Sequence, residues 1–312
     1  MKYRTLGKTG LVSSVVGMGT WQLGGEWGQT YTRNDAAALF DAARECGINL
    51  LDTAECYGDH LSEQLVGAAI ARDRARWIVA TKFGHHFKAP FDRDRRFDVG
   101  SVREQLAQSL RALQTSYIDV YQFHSGSDED FDNDDLWTFL DKQKTAGTIR
   151  SLGISIGANN NLYQTSRATE LGADVIQVVY NRLDRAPEHE VLHSCTAQGL
   201  GVMARVPLAS GFLSGAYRPG HRWNDNDVRG RWGVEGHDER LRDVEQIAAA
   251  ELPAGVPMAQ WALAWCLLHP AVTVVIPGCK SVQQVCQNAA AADLDMVDPG
   301  HPQGVHHTVD PQ

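Results

Sequence analysis

The chain has no apolar run approaching the roughly 18 residues of a membrane-spanning helix. None of its six cysteines, at 46, 56, 195, 266, 279 and 286, makes a C-x-x-C pair, and no Cys and His cluster completes zinc-ligand spacing. Basic charge is not in excess: 29 Lys and Arg face 38 Asp and Glu, a formal charge of −9. Each absence excludes a class. No membrane partner is expected, and no nucleic acid, because neutralising phosphates needs clustered Lys and Arg. No metal is expected either, since the adjacent pairs His85-His86 and His306-His307 have no third ligand at a fixed spacing. The cysteines read as reduced thiols of a cytoplasmic protein. Met1-Lys2-Tyr3-Arg4 leads into structured-looking sequence without the apolar core of a secretory signal. Linkers, low-complexity tracts and internal repeats are missing too. The expected organisation is therefore one domain over 1–297 and a mobile Pro- and His-rich tail over 298–312. Composition carries no signal of oligomeric state.

What is present is a periodic alternation. Eight strand-length apolar runs recur: Ser14–Met18, Asn49–Asp52, Trp77–Lys82, Asp119–Phe123, Ser151–Ile156, Val175–Val179, Gly201–Val206 and Val272–Pro277. Between them, segments such as Asn34–Cys46, Leu61–Arg72, Ser101–Leu113, Asp134–Ala146 and Pro257–Leu268 carry apolar residues at helical spacing. Asp35, Ser62, Ser101 and Asp134 suit N-caps or first helical turns, and Gly47, Gly147, Gly172 and Gly199 suit the position just past a helix end. Strand-helix alternation implies parallel strands and right-handed crossovers. Eight units most simply close into an α/β fold of the (β/α)8 TIM-barrel type. An open doubly wound sheet would want G-x-G-x-x-G after the first strand, and Gln22 stands where the third glycine belongs. Three stretches fall outside the alternation: Lys2–Ser13, expected as an N-terminal β-hairpin, and long loops after strands three and seven, Gly84–Val99 and Arg218–Asp238.

Active sites of such barrels lie at the C-terminal strand ends. Strand two ends in Asp52, strand three in Lys82 and strand four in His124, while Tyr57 and Gly58 follow Asp52 in the next loop. At this point the chain resembles an aldo-keto reductase. Asp52-Thr53-Ala54-Glu55-Cys56-Tyr57-Gly58 is similar to the family's D-x-A-x-x-Y-G segment, Thr81-Lys82 to its lysine strand end, and Gln122-Phe123-His124 to its histidine segment. The resemblance runs from Gly17-Met18-Gly19-Thr20-Trp21 to Ile276-Pro277-Gly278 and Asn288.

The resemblance implies reduction of an aldehyde or ketone by hydride from a nicotinamide. The carbonyl carbon takes the hydride and the oxygen must gain a proton. A tyrosine phenol, with an ordinary pKa of about 10, retains a proton to give at neutral pH. Tyr57 would donate it, Lys82 would lower its pKa, Asp52 would hold Lys82, and His124 would orient the carbonyl. Ser155 and Gln177 would bind the carboxamide, though the family's frequent Ser-Asn is here Ser155-Ile156. Arg205 stands where the family often stacks an aromatic ring on the nicotinamide. Thr20 belongs to the cofactor side in the same way. PLASGFLSG, with Pro207, Leu208, Ser210, Gly211, Leu213 and Gly215, is similar to the pyrophosphate loop. Gly278, Lys280, Gln284 and Asn288 would hold the adenosine end, with Lys280 favouring NADP(H) over NAD(H). Trp21, Trp27 and Phe83 are the expected substrate walls, the partner being a small carbonyl or alcohol. Two alternatives stay open: a dehydrogenase oxidising a sugar or secondary alcohol, and a cofactor-binding regulatory subunit on the same fold.

Overall fold

The structure, a computed structural model, describes residues 1–232 and 236–295. The expected tail over 298–312 lies outside the described residues. In chain order the strands are β1 (Tyr3–Thr5), β2 (Val12–Ser14), β3 (Met18–Gly19), β4 (Leu50–Asp52), β5 (Ile78–Phe83), β6 (His85–Ala89), β7 (Asp92–Arg95), β8 (Ile118–His124), β9 (Ile149–Ser155), β10 (Ala173–Val179), β11 (Gly201–Arg205) and β12 (Val274–Val275). The helices are α1 (Arg33–Glu45), α2 (Leu61–Ile70), α3 (Val99–Ala112), α4 (Asp128–Phe131), α5 (Asp134–Thr145), α6 (Leu162–Ser166), α7 (Val191–Gln198), α8 (Val228–Arg231), α9 (His237–Glu251), α10 (Met258–Leu268) and α11 (Val282–Ala289).

Eight strands pair in parallel in the order β3-β4-β5-β8-β9-β10-β11-β12. The ends meet through parallel bridges from Val16 to Val275 and from Gly19 to Gly278, so the sheet closes into the (β/α)8 barrel. The first barrel strand begins later than Ser14, because Ser14 pairs with Tyr3 in the N-terminal hairpin. That hairpin covers the bottom of the barrel. Leu6 is fully buried there, and at Gly7 a Cβ would sit 2.1 Å from the Gly201 nitrogen, a contact only glycine permits.

Strand parity decides what faces the interior. Leu50, Ile78, Ala80, Val120, Val175, Met203, Val274 and Ile276 form one cluster with Leu6 inside the barrel, while their strand neighbours join the large outer cluster under the helices. Two residues further along the same inward parity lie Asp52, Lys82, Gln122, Gln177 and Arg205. The polar rim is thus the direct continuation of the apolar plug.

α2 and α5 begin at the expected residues, whereas α1 and α3 begin one and two residues earlier. Thr32 and Asp35 form a capping box on α1, Asp98 caps α3 through the Ser101 N–H, and Asn133 caps α5 through the Leu136 N–H. Asp35, Ser101 and Asp134 therefore occupy first turns, and Ser62 lies inside α2, where its hydroxyl donates to the Thr20 carbonyl at 2.9 Å. Gly47, Gly147, Gly172 and Gly199 all have positive φ, as their places past helical turns require. The expected loop over 84–99 is corrected: it contains the antiparallel hairpin β6-β7, running from His85 opposite Arg95 to Ala89 opposite Asp92. Its charged pattern conceals alternation, because both faces of this small ribbon are partly wet. Among the described residues no helix is long and apolar enough to cross a membrane.

Candidate active site

Lys82 is 1% exposed, and burying an ammonium costs several kcal/mol unless its donors are used. All three find acceptors: Asp52 Oδ2 at 2.7 Å, the Thr53 carbonyl at 2.8 Å and Tyr57 Oη at 3.3 Å. Burial works against the charge, but Asp52 and Tyr57 together outweigh it and hold Lys82 above the ordinary lysine value. Asp52 Oδ1 accepts from the amides of Gln177 at 2.7 Å and Gln122 at 3.3 Å. Gln122 is not among the site residues expected from the sequence, although its parity between Val120 and His124 marks it.

Tyr57 is set by close backbone contact. Gly58 has φ +70, and a Cβ there would lie 2.6 Å from the Gly24 carbonyl, so the loop after β4 seats directly on the loop after β3. Trp21 stacks on the Tyr57 ring at 5.8 Å and 19°. Burial pushes the phenol above 10 and Lys82 pulls it down without reversing the direction. The expected net lowering is thus not seen: dehydration exceeds the ammonium's attraction.

His124 ends β8. Burial, followed by His85, Lys82, Arg205 and Arg93, holds its imidazole well below 6.5, so it is neutral at physiological pH.

These groups open into a cavity of about 510 Å³ that runs across the C-terminal mouth to α11. Of the expected residues, Thr20, Trp21, Trp27, Asp52, Tyr57, His124, Gln177, Arg205, Pro207, Leu208, Ser210, Gly211, Gly278, Lys280, Gln284 and Asn288 line it. Lys82 and Ser155 are buried behind the lining, with Ser155 Oγ donating to Gln177 Oε1 at 3.5 Å. Three others are elsewhere. Phe83 is fully buried in the outer cluster against Phe97, Tyr121 and Phe123, because a strand that turns Lys82 inward must turn Phe83 out. Leu213 packs into the same outer core, and Gly215 has φ +77 beside Met258, so both support the loop from behind.

That loop is conformationally unusual. Val206, Ala209, Ser210 and Gly211 all have positive φ. Successive N–H groups in such turns can converge on an anion. Arg205 donates to the Ile156 carbonyl at 3.1 Å, while its Nε is buried without a partner. An elongated cavity, an orphaned guanidinium N–H at its floor and a glycine-bearing loop of positive φ fit a dinucleotide with a pyrophosphate centre.

Over the mouth, loops after four strands interlock. Glu26, 1% exposed, accepts from Trp21 Nε1 at 2.7 Å, from the Phe91 N–H at 2.7 Å and from Arg93. Asp227 receives Arg229 through two bonds of 2.8 and 2.6 Å. Lys280 donates to the Trp27 carbonyl at 2.6 Å and reaches Asp227 at 3.5 Å. His85, Arg93 and Arg229 also line the cavity from stretches expected as loops, and Tyr217 from just before one of them.

The chain matches the model of the aldo/keto reductase family over residues 15–300. It belongs to that family. This aldo/keto reductase is accordingly an NAD(P)H-dependent oxidoreductase. It is 32% identical over 319 residues to the NADH-specific methylglyoxal reductase of Escherichia coli K12, covering 96% of this chain and 95% of the relative. It is 29% identical over 324 residues to a probable voltage-gated potassium channel β subunit of rice, covering 94% and 92%. Among solved structures, the holo form of an aldo-keto reductase from Bacillus halodurans superposes with a TM-score of 0.81 at 30% identity, covering 96% and 93%.

Proposed function

We propose that this aldo/keto reductase converts an aldehyde or ketone to the alcohol, with Tyr57 as proton donor and NADP(H) modestly preferred over NAD(H). The observation that carries the reading is the Asp52–Lys82–Tyr57 chain of hydrogen bonds ending at a cavity that also holds neutral His124. The bound nicotinamide supplies the hydride. His124, uncharged, directs a ring N–H to the carbonyl oxygen and fixes its position. Tyr57 keeps its proton through neutral pH and gives it to that oxygen as charge develops there. Lys82 then faces the phenolate at short range, and Asp52 keeps Lys82 charged and aimed. Gln177 and Gln122 hold Asp52 in turn.

Lys280 supports the phosphate preference as the lining cation nearest Gln284 and Asn288. Its existing bonds to Trp27 and Asp227 argue that the preference is small. The rice relative's name points to a second reading, a cofactor-binding subunit. Titration with NADPH and NADH, then a carbonyl panel with the tighter form, tests the cofactor preference and separates the two readings. Cofactor oxidation driven by a carbonyl is expected. Cofactor binding with no turnover of any carbonyl would replace the reductase with the binding subunit.

A further inference from the structure

Beside His124 the cavity holds a second imidazole that the proposed reduction does not use. His85, the first residue of β6, has its ring 4.6 Å from that of His124, tilted by 37°. His85 lines the cavity, and its Nε2 is enclosed with no hydrogen-bond partner. An enclosed polar atom without a partner is destabilising, because it has lost its bonds to water and gained none in return. A ligand group that bonds Nε2 would recover that cost.

We infer that His85 reads a hydroxyl on the carbon next to the reacting carbonyl, so that the substrates of this enzyme are α-hydroxy aldehydes or ketones. The inference rests on the reductase reading above. Burial, aided by Arg93, holds the His85 ring below 6.5, so it is a neutral imidazole with one donor and one acceptor nitrogen. A hydroxyl satisfies Nε2 in either tautomer. A methyl satisfies neither, and a carboxylate serves only one. Charge also disfavours a carboxylate: Arg93, the cation acting most strongly on the His85 ring, is already paired with buried Glu26, whose negative charge would oppose a second anion. The adjacent rings bring the two recognition points close together, His124 for the carbonyl oxygen and His85 for an oxygen one carbon away. Trp21 and Trp27, edge to face at 5.1 Å, supply the apolar wall on which the carbon skeleton rests.

The test uses an isosteric pair, hydroxyacetone and 2-butanone, with pyruvate as the anionic arm. An α-hydroxyl also raises the intrinsic reactivity of a carbonyl, so the diagnostic quantity is the change in the kcat/KM ratio between proteins. Hydroxyacetone is expected to be preferred by the unmodified enzyme. In His85→Leu the hydroxyacetone-to-butanone ratio should fall about tenfold, the value of one hydrogen bond. His85→Gln, which keeps a donor and an acceptor, should restore part of it. An unchanged ratio in His85→Leu overturns the inference, as does pyruvate used better than hydroxyacetone. Turnover of 2-butanone without any hydroxyl preference removes this inference alone. Failure to reduce any carbonyl removes the reductase reading and this one together.

Discussion

The Lys82 ammonium donates to the Tyr57 phenol oxygen across 3.3 Å, from a position where it is itself buried. No other cation bonds the phenol among the described residues. Tyr57→Phe should therefore lower carbonyl turnover by about 10²–10⁴, the usual worth of a positioned general acid. Cofactor affinity, read by fluorescence quenching, should stay within a few-fold. Near-normal turnover would take Tyr57 out of the donor role.

The same contact sets a pH signature. Tyr57 lies above 10 and His124 well below 6.5. Reduction should be flat across neutral pH and fall on the alkaline side as the phenol ionises, while alcohol oxidation rises over the same limb. Lys82 lowers the Tyr57 value, so Lys82→Met should move the alkaline limb to higher pH while reducing the plateau. Profiles of kcat/KM for both proteins decide it. A limb that stays in place would detach it from Tyr57.

Lys280 is already bonded to Trp27 and near Asp227. A ribose phosphate would have to share it, so its contribution should be on the order of 1 kcal/mol, about fivefold in affinity. Lys280→Met should weaken NADPH several-fold, leave NADH nearly unchanged, and flatten the salt dependence of NADPH binding. Equal losses for both would make Lys280 a brace of the closed mouth.

Glu55, in the loop that carries Tyr57, has a stability signature. Burial pushes its carboxyl up to about 8, with His60 opposing, Glu63 and Asp59 adding, and Arg96 opposing more weakly. Because the folded value exceeds the unfolded 4.5, the folded state binds the extra proton between the two. The stability contribution is thus full below the unfolded value and lost as pH rises through the folded one. Glu55→Gln should melt higher than the unmodified protein at about pH 9, with the gap closing towards about pH 5. Parallel melting curves at all pH values would contradict the assignment.

Thiol reactivity should follow geometry. Cys286 is exposed and lies 3.5 Å, sulfur to sulfur, from half-buried Cys46, whose thiol burial pushes up to about 11. Cys56, Cys195, Cys266 and Cys279 are buried. Limited alkylation with peptide mapping should label Cys286 first and Cys46 more slowly. Cys56 lines the cavity yet should resist, since burial lifts its thiol to about 12. Rapid labelling of Cys56 would show that the cavity wall opens.

The sequence by itself determined the barrel and most of the polar rim at its mouth. Eight apolar runs mark the strands, and along a strand residues two apart share a face. Each polar strand end on that parity, Asp52, Lys82, His124, Gln177 and Arg205, therefore points where it must. Local pattern also marked first helical turns, through Asp35, Ser101 and Asp134. What tertiary structure decided lies in the segments without a period. The hairpin carrying His85 and Arg93 reads as a polar loop, because a ribbon wet on both sides shows no apolar alternation. Phe83 reads as an aromatic wall of the pocket, whereas it belongs to β5, whose pleat sends it to the face opposite Lys82. The state of Tyr57 was also beyond the sequence: Lys82 lowers its pKa and burial raises it, and which wins depends on how much water the folded loops exclude.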